Sequence, residues 1–594
     1  MLDFDTIAAR SLNSSRIVHK PTYAGLRLLL KAAAHRPASF LRLIHNRCRS
    51  RESWRYYSFQ ILKEASKDKP PVYRDCLSGS PLTTAAEAYV LGLMAAQPVF
   101  QPPSCAFSYL WPTTTRTGRS FEYFFDGYVR RNRRVATLLE ENPNYLAVVT
   151  DIKSFYPNVN KERVRLKLAK CLKVVSDTTV ARSIAQFVDS LLTLTSPKFA
   201  GIPIGPEVAH VLGHVALESV DAVMMKAYGD RYLRYVDDII IVCPKSDAVT
   251  ATNRLRDALA EEGLVLHDGK QDMVDEGTWR NNSISLSSDK GMDSFGLLLD
   301  EIILFLLRKP AEIEPLRQRL LGLGFSLPIR RLGSLVKSRR YRSHKRSHFR
   351  QQRGLFEWAK SWFITEASII ERATSVRESM LKLASSLAGD PIPTQPTSRK
   401  SYVQKRRYVF NRLLYLLSPN EYPRLLMLIP DADEFTEIRL AAGALAGKNG
   451  SMVLKYPGRV VDTFCQLWNE HHDSGIPLID WPTSPSRAEA ESAAHMALYF
   501  PVTPTDSFAT SLSSRAPGSR ILIDVCGRSS TGSHSIVPFS FLDELELLYR
   551  GISSGEVRQL VTSRFDELEE LGLDALLLGG AGSPFTFDDG DYAN

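Results

Sequence analysis

The stretch RYLRYVDDIIIVCP, residues 231–244, sets Asp237 and Asp238 side by side, immediately before a run of four β-branched residues. A third acid, Asp151, ends another apolar run in LAVVTDIKSFYPNV, residues 146–159. Each feature has an ordinary structural reading. A carboxylate leaving a strand is a common helix N-cap, and taken alone Asp151 favours that role over metal ligation. An Asp pair between two strand-like runs suits a tight hairpin turn, because Asp tolerates the positive φ that such turns demand. Energy weighs against leaving the acids uncompensated. Two carboxylates ~4 Å apart repel by roughly 4 kcal/mol at an effective dielectric near 20, and a third worsens this unless one is protonated or a divalent cation neutralises the set. Paired divalent cations clamped by carboxylates are what in-line phosphoryl transfer uses.

Beyond these residues, five segments in order resemble the palm of reverse transcriptases. DIKSFYPNV (151–159) resembles motif A, GIPIGPEVAHVLGHVALESVD (201–221) motif B, YVDD (235–238) motif C, GLVLHDGKQD (263–272) motif D and DSFGLLLD (293–300) motif E. The resemblance implies that Asp151 and Asp237 bridge two Mg²⁺ ions, with Mn²⁺ as a substitute, that Asp238 is the supporting acid, and that the Ile152 carbonyl contacts a metal. It makes Tyr156 a steric gate that crowds a ribose 2′-OH and so selects dNTPs; core packing is the alternative reading of that ring. It makes Lys270 a proton donor to the departing pyrophosphate, beside the alternative of a surface lysine. Phe295 and Gly296 match a primer-grip hairpin.

The chain departs from the retroviral pattern at motif B. Where those enzymes carry LPQG, this sequence has Ile202, Pro203, Ile204 and Gly205. Gly201 and Gly205 still permit close approach of the backbone to a base pair, whereas Ile204 has no group to hydrogen-bond a template. The triphosphate grip falls to Arg116 and Arg119 in TTTRTGRS, or to Arg74 in VYRD, with a solvated loop as the other reading of the first pair.

Ten Lys or Arg, two His and no acid lie between 330 and 353, including Arg339, Arg340, Arg342, Lys345 and Arg346. Such a block reads either as a solvated linker or as a phosphate-binding stretch, in which Tyr341 and Phe349 stack on unpaired bases. By contrast, residues 541–594 hold twelve acids against three Arg. The seven cysteines include no CxxC pair, which argues against a zinc ribbon and a disulfide framework and fits a reducing compartment. The opening residues lack the basic-then-apolar pattern of a signal peptide, and no apolar run is expected to span a bilayer. The expectation is a cytoplasmic bacterial protein with no membrane partner.

The elements that must position the acids are legible in outline. Short apolar runs at 145–149, 239–242 and 295–299 read as strands, and 161–174, 179–192 and 207–228 as helices. Residues 1–100 read as mostly helical, and helices dominate after about 355, one of them starting from an acidic N-cap at 431–434 and stopping at Gly447. The fold class is therefore α+β: by resemblance, a right-hand polymerase palm and fingers followed by a mostly α-helical C-terminal region. The segments are 1–145 (N-terminal helices and fingers), 146–310 (palm), 311–400 (basic, thumb-like or linker) and 401–594 (helical, with a mobile acidic tail from 579).

No paired cysteines of a zinc endonuclease are present, and Asp524 in ILIDVC has no set of acids around it that suggests a nuclease. The motif variants and helical C-terminal half resemble the bacterial defence-associated, AbiK-like and abortive-infection reverse transcriptases. That family implies DNA synthesis in antiphage defence, RNA-templated, protein-primed or untemplated. Implied partners are dNTPs, a noncoding RNA and the DNA product, with a second copy of the chain or a companion protein besides. A group II intron-like or retron enzyme and an RNA-binding scaffold with a relict palm are the competing readings.

Overall fold

The computed structural model describes residues 2–50, 54–66, 69–112, 118–193, 200–283, 293–337, 358–471, 475–502, 505, 508, 544–550 and 552–562. It is a mixed α and β chain. Helices Phe4–Val18 (α1), Lys20–Ala33 (α2) and Pro37–Cys48 (α3) precede an antiparallel hairpin of Tyr56–Glu64 (β1) and Val72–Gly79 (β2), then Pro81–Ala95 (α4) and Phe124–Glu141 (α5). Next come Tyr145–Asp151 (β3), Lys161–Lys173 (α6), Thr178–Leu192 (α7), Val208–Tyr228 (α8), Tyr232–Tyr235 (β4), Asp238–Pro244 (β5), Ala248–Glu261 (α9), Asp272–Val274 (β6) and Glu276–Ser283 (α10). The later helices include Asp293–Arg308 (α11), Glu366–Ala388 (α12), Pro396–Leu416 (α13), Thr436–Ala446 (α14), Arg459–His471 (α15) and Arg487–Ala497 (α16).

A four-stranded antiparallel sheet in the order β4-β5-β3-β6 carries the acids. Its central strands are apolar apart from the ends that carry the acids, because both faces are covered. Ile239, Ile241 and Cys243 share one core with α8 and α9, while Ile240 and Val242 alternate onto Val135, Leu138 and Leu139 of α5 and onto Trp279. The two-residue period thus fills two cores from one strand. Short polar side chains start the flanking helices: Asn160 accepts from the amides of Glu162 and Arg163, and Asp177 from those of Thr179 and Val180.

A second large core runs from Phe295 to Val557 and takes in Ala24 and Tyr57 from the N-terminal part. The β1–β2 hairpin is tied to it directly. Leu62 N donates to Pro457 O (3.1 Å), Tyr73 Oη to Lys455 O (2.9 Å), and Arg487 lies 3.5 Å from Asp75.

Several expectations are corrected. The first hundred residues are not all helical: β1 and β2 interrupt them, neither carrying a strong alternation of its own, and each is stabilised by pairing with the other. Residues 295–299 are not a strand but the first turns of α11. Phe295, Leu298, Leu299, Ile302, Ile303 and Leu306 are buried while Leu297 is exposed, which is helical spacing. The helix expected from the acids at 431–434 exists, yet its N-cap is Phe435 with no side-chain capping bond, because a 3₁₀ turn (Asp433–Phe435) leads into it. The helix over 208–231 is long and apolar enough to cross a membrane by length and composition, but it is mostly buried in the protein, which accounts for its apolarity as a core helix. The six cysteines among the described residues are free and buried. Asp524 and the tail from 579 lie outside the described residues.

Candidate active site

Asp151 closes β3 and stands in register with Asp238, the first residue of β5. Directly opposite residues of an antiparallel pair bring their side chains to within about 5 Å at Cβ. The chain beyond Asp151 is held in place by its own backbone: Ile152 N donates to Asp237 O (3.2 Å), His267 N to Asp151 O (2.8 Å) and Lys153 N to Val265 O (2.8 Å). Asp151 caps no helix. The four-residue helix that follows, Phe155–Asn158, has Ser154 at its N-cap.

Val236 and Asp237 form the tip between β4 and β5. The residue in the left-handed region is Val236, at φ 55°, and not either Asp as expected. A β-branched residue there costs about 1–3 kcal/mol and persists only where its surroundings dictate it. Ser108 Oγ accepts from Val236 N (2.8 Å), and Arg234 Nη1 donates to Val236 O (3.3 Å). Arg234 is itself buried and forked onto Asp221, Nε to Oδ1 at 2.9 Å and Nη2 to Oδ2 at 2.6 Å, with Tyr232 Oη donating to the same carboxylate (2.9 Å). The buried ion pair beneath the sheet therefore anchors the tip.

The three acids have unequal surroundings. Burial pushes the Asp151 carboxyl up, against the pull of Lys270, whose Nζ lies 3.0 Å from Oδ2. Burial opposes ionisation of Asp238 as well, but Lys400 and Arg131 outweigh it and hold that carboxyl below its ordinary value. Lys400 Nζ is 3.0 Å, and Arg131 Nη1 4.0 Å, from Asp238 Oδ2. Among the described residues no basic group lies within ion-pair reach of Asp237; burial, then Asp238 and Asp151, push its carboxyl up to about 7.

Among the described residues no three His, Cys, Asp or Glu groups are placed to hold a metal ion as they stand. The chemistry of the set still suits a hard divalent cation. Asp151 Oδ1 is buried with no hydrogen-bond partner, Asp237 is short of positive charge, and both offer oxygen donors. Lys270 sits at Asp151 Oδ2, and Lys400 and Arg131 at Asp238 Oδ2.

Tyr156 is half-buried, and its hydroxyl forms a 2.8 Å hydrogen bond with His210 Nδ1. His210 stacks on Tyr109, ring centroids 3.5 Å apart, and burial pushes the imidazole down to about 3. The ring of Tyr156 is thus fixed by a neutral histidine within the motif B segment, a residue to which the sequence reading gave no role.

The glycines expected to admit a base pair instead admit the chain itself. A Cβ on Gly201 would lie 2.2 Å from Tyr156 O, and one on Gly205 2.1 Å from Leu77 O. Ile202 N donates to Tyr156 O and Leu77 N to Ile204 O, at 2.9 and 2.8 Å, with Pro203 buried between them. This loop joins the Asp151 segment to β2. Gly205 also has φ +118°, so Gly205→Ala is expected to cost about 2–4 kcal/mol in urea unfolding; a variant as stable as the parent would show that the loop does not pack on Leu77.

Other expected residues lie apart or beyond view. Phe295 is buried in the second core with Arg412 5.4 Å from its ring centroid, and Gly296 is on the same helix, so no primer-grip hairpin forms here. Arg119 lies over the Tyr123 ring at 4.6 Å, and Arg74 is on β2. Arg116, Arg339, Arg340, Arg342, Lys345, Arg346, Tyr341 and Phe349 lie outside the described residues. Sequence reasoning passed over Ser108, Arg131, Asp221 as an ion-pair partner, His210 and Lys400; the basic runs RRNRR and SRK drew no attention because such runs are usually solvated faces. No protein-family model matches the chain, and no curated protein matches it.

Proposed function

We propose that this chain is a reverse transcriptase, a DNA polymerase that extends a primer with dNTPs by two-metal phosphoryl transfer, serving antiphage defence as the AbiK-like enzymes do. The observation that carries the reading is the register of Asp151 against Asp238 beside the Asp237 tip, within a sequence whose five segments follow the family order. In this reading the sheet and its helices are the palm and β1–β2 belongs to the fingers.

Asp237 and Asp151, through its unpartnered Oδ1, would hold Mg²⁺ or Mn²⁺, with the Ile152 carbonyl adjacent. Two such cations supply charge neutralisation at the attacking and departing oxygens. Lys270 Nζ, half-exposed and 3.0 Å from Asp151, would give a proton to the departing pyrophosphate. Tyr156, fixed by His210, is the group that would exclude a 2′-hydroxyl. Partners in this reading are dNTPs, a noncoding RNA template or a protein or untemplated start, and the DNA product.

Purified full-length protein, incubated with labelled dNTPs and Mg²⁺ or Mn²⁺ with and without its co-purified nucleic acid, is expected to make labelled polymer. No incorporation under any of these conditions would overturn the proposal. Sequencing the product and the co-purified nucleic acid would identify template and priming together.

A further inference from the structure

Lys400 lies outside every motif, 162 residues beyond the carboxylate it binds. Its helix, α13, belongs to the C-terminal helical half, and the start of that helix is docked on the sheet. Asp272 of β6 accepts from Thr397 N (3.0 Å) and from the N-cap side chain at Gln395 Nε2 (3.2 Å), so an acid from another element serves one free backbone amide of the first turn. Asn282 of α10 donates from Nδ2 to Ser398 Oγ (2.9 Å) and accepts at its carbonyl from Ser401 Oγ (2.8 Å). Lys400 is bracketed by these contacts.

This matters because the Lys400 side chain is 42% exposed while Asp238 is 15% exposed. A lysine that free gains little from an ion pair unless something else fixes its position. The docked helix does so. Ion pairs at the acidic cluster are consequently partitioned: Lys270 pairs with Asp151, Lys400 and Arg131 pair with Asp238, and Asp237 has no ion-pair partner among the described residues.

We infer that Lys400 is a positioning residue of the active site, supplied by the C-terminal helical half: it holds Asp238 as a compensated carboxylate, leaving Asp237 and Asp151 to take the divalent cation. The inference rests on the reading of the acids as a cation site, and it gives the C-terminal half a direct part in that site. With Lys400 neutralised, the cluster loses one positive charge and Asp238 becomes an additional donor beside Asp237. Cation binding then tightens while the arrangement productive for synthesis is lost.

The test is Mn²⁺ binding, followed by the electron paramagnetic resonance of free Mn²⁺, on full-length wild type, K400M, K400R, D238N and the K400M/D238N double variant, each checked for folding by circular dichroism. K400M is expected to bind Mn²⁺ about fivefold more tightly than wild type, whereas K400R stays within about twofold. In the D238N background the Lys400 substitution should have a clearly smaller effect, because only the loss of one positive charge remains and no Asp238 carboxylate is freed. D272A, which frees the start of α13, should shift Mn²⁺ affinity in the same direction as K400M. Equal Mn²⁺ affinity in wild type and K400M, or an undiminished effect of K400M in the D238N background, overturns the role of Lys400 alone. No Mn²⁺ binding by any of these proteins overturns the cation-site reading together with the inference built on it.

Discussion

Asp237→Asn is expected to abolish dNTP incorporation while making the cation-free protein more stable. The two effects have one origin. Asp237 is half-buried beside Asp238 and Asp151 with no ion-pair partner among the described residues, and its carboxyl is pushed up to about 7. A carboxyl whose folded value exceeds its unfolded value weakens the fold as pH rises from the ordinary range through about 7, and the loss is complete above that. At pH 8 the asparagine variant escapes this loss, a difference of about 1–2 kcal/mol after allowance for partial solvent screening; near pH 4 it should nearly vanish. Mg²⁺ should close the gap by stabilising the wild type only. In the proposed reading of Asp237 as a cation ligand, incorporation, by contrast, should fall about a thousandfold or more. Thermal melts at pH 4 and pH 8 with and without Mg²⁺, set beside labelled-dNTP assays, check both halves. A variant less stable than wild type at pH 8 in chelator, or one that still polymerises, would refute the site assignment.

The second large effect concerns Asp221, which touches none of the three acids. It neutralises Arg234, and Arg234 in turn holds the carbonyl of Val236 at the strained tip. Asp221→Leu leaves a buried guanidinium unpaired and is expected to cost about 3–5 kcal/mol in urea unfolding. The double variant Asp221→Leu/Arg234→Met removes both charges, and should recover much of that stability, because well-packed apolar residues replace buried ion pairs at little cost. Its polymerase activity should not recover. Without the Arg234 hydrogen bond the left-handed Val236 keeps the Ser108 contact alone at its backbone, and Asp237 is held less firmly. Stability and activity recovering together would show that the pair serves packing alone.

How far the site could be read in advance varies with distance along the chain. The end of β3 and the hairpin were legible because period, apolar run and turn all fall within about ten residues. Even there the strained residue was misplaced by one, since a valine at positive φ is tolerated only under contacts from Ser108 and Arg234 that the local sequence does not display. Residues 295–299 were misread because the acids Asp300 and Glu301 interrupt the run; the helical spacing continues past them to Leu306. The hairpin β1–β2 escaped notice because each strand gains its stability from the other.

What this sequence determined by itself is the set of acids, the strands that deliver them and the order of the segments around them, since these depend on spacing within short windows. Tertiary structure alone decided which charges those acids meet. Lys270 reaches Asp151 across 119 residues and Lys400 reaches Asp238 across 162, and at that range a lysine on a helix looks no different from a solvated one. It likewise decided that Gly201 and Gly205 make room for neighbouring backbone. Charge pairing and close backbone approach follow from topology, and topology places elements by burying their apolar faces, a property of the whole chain that no short window contains.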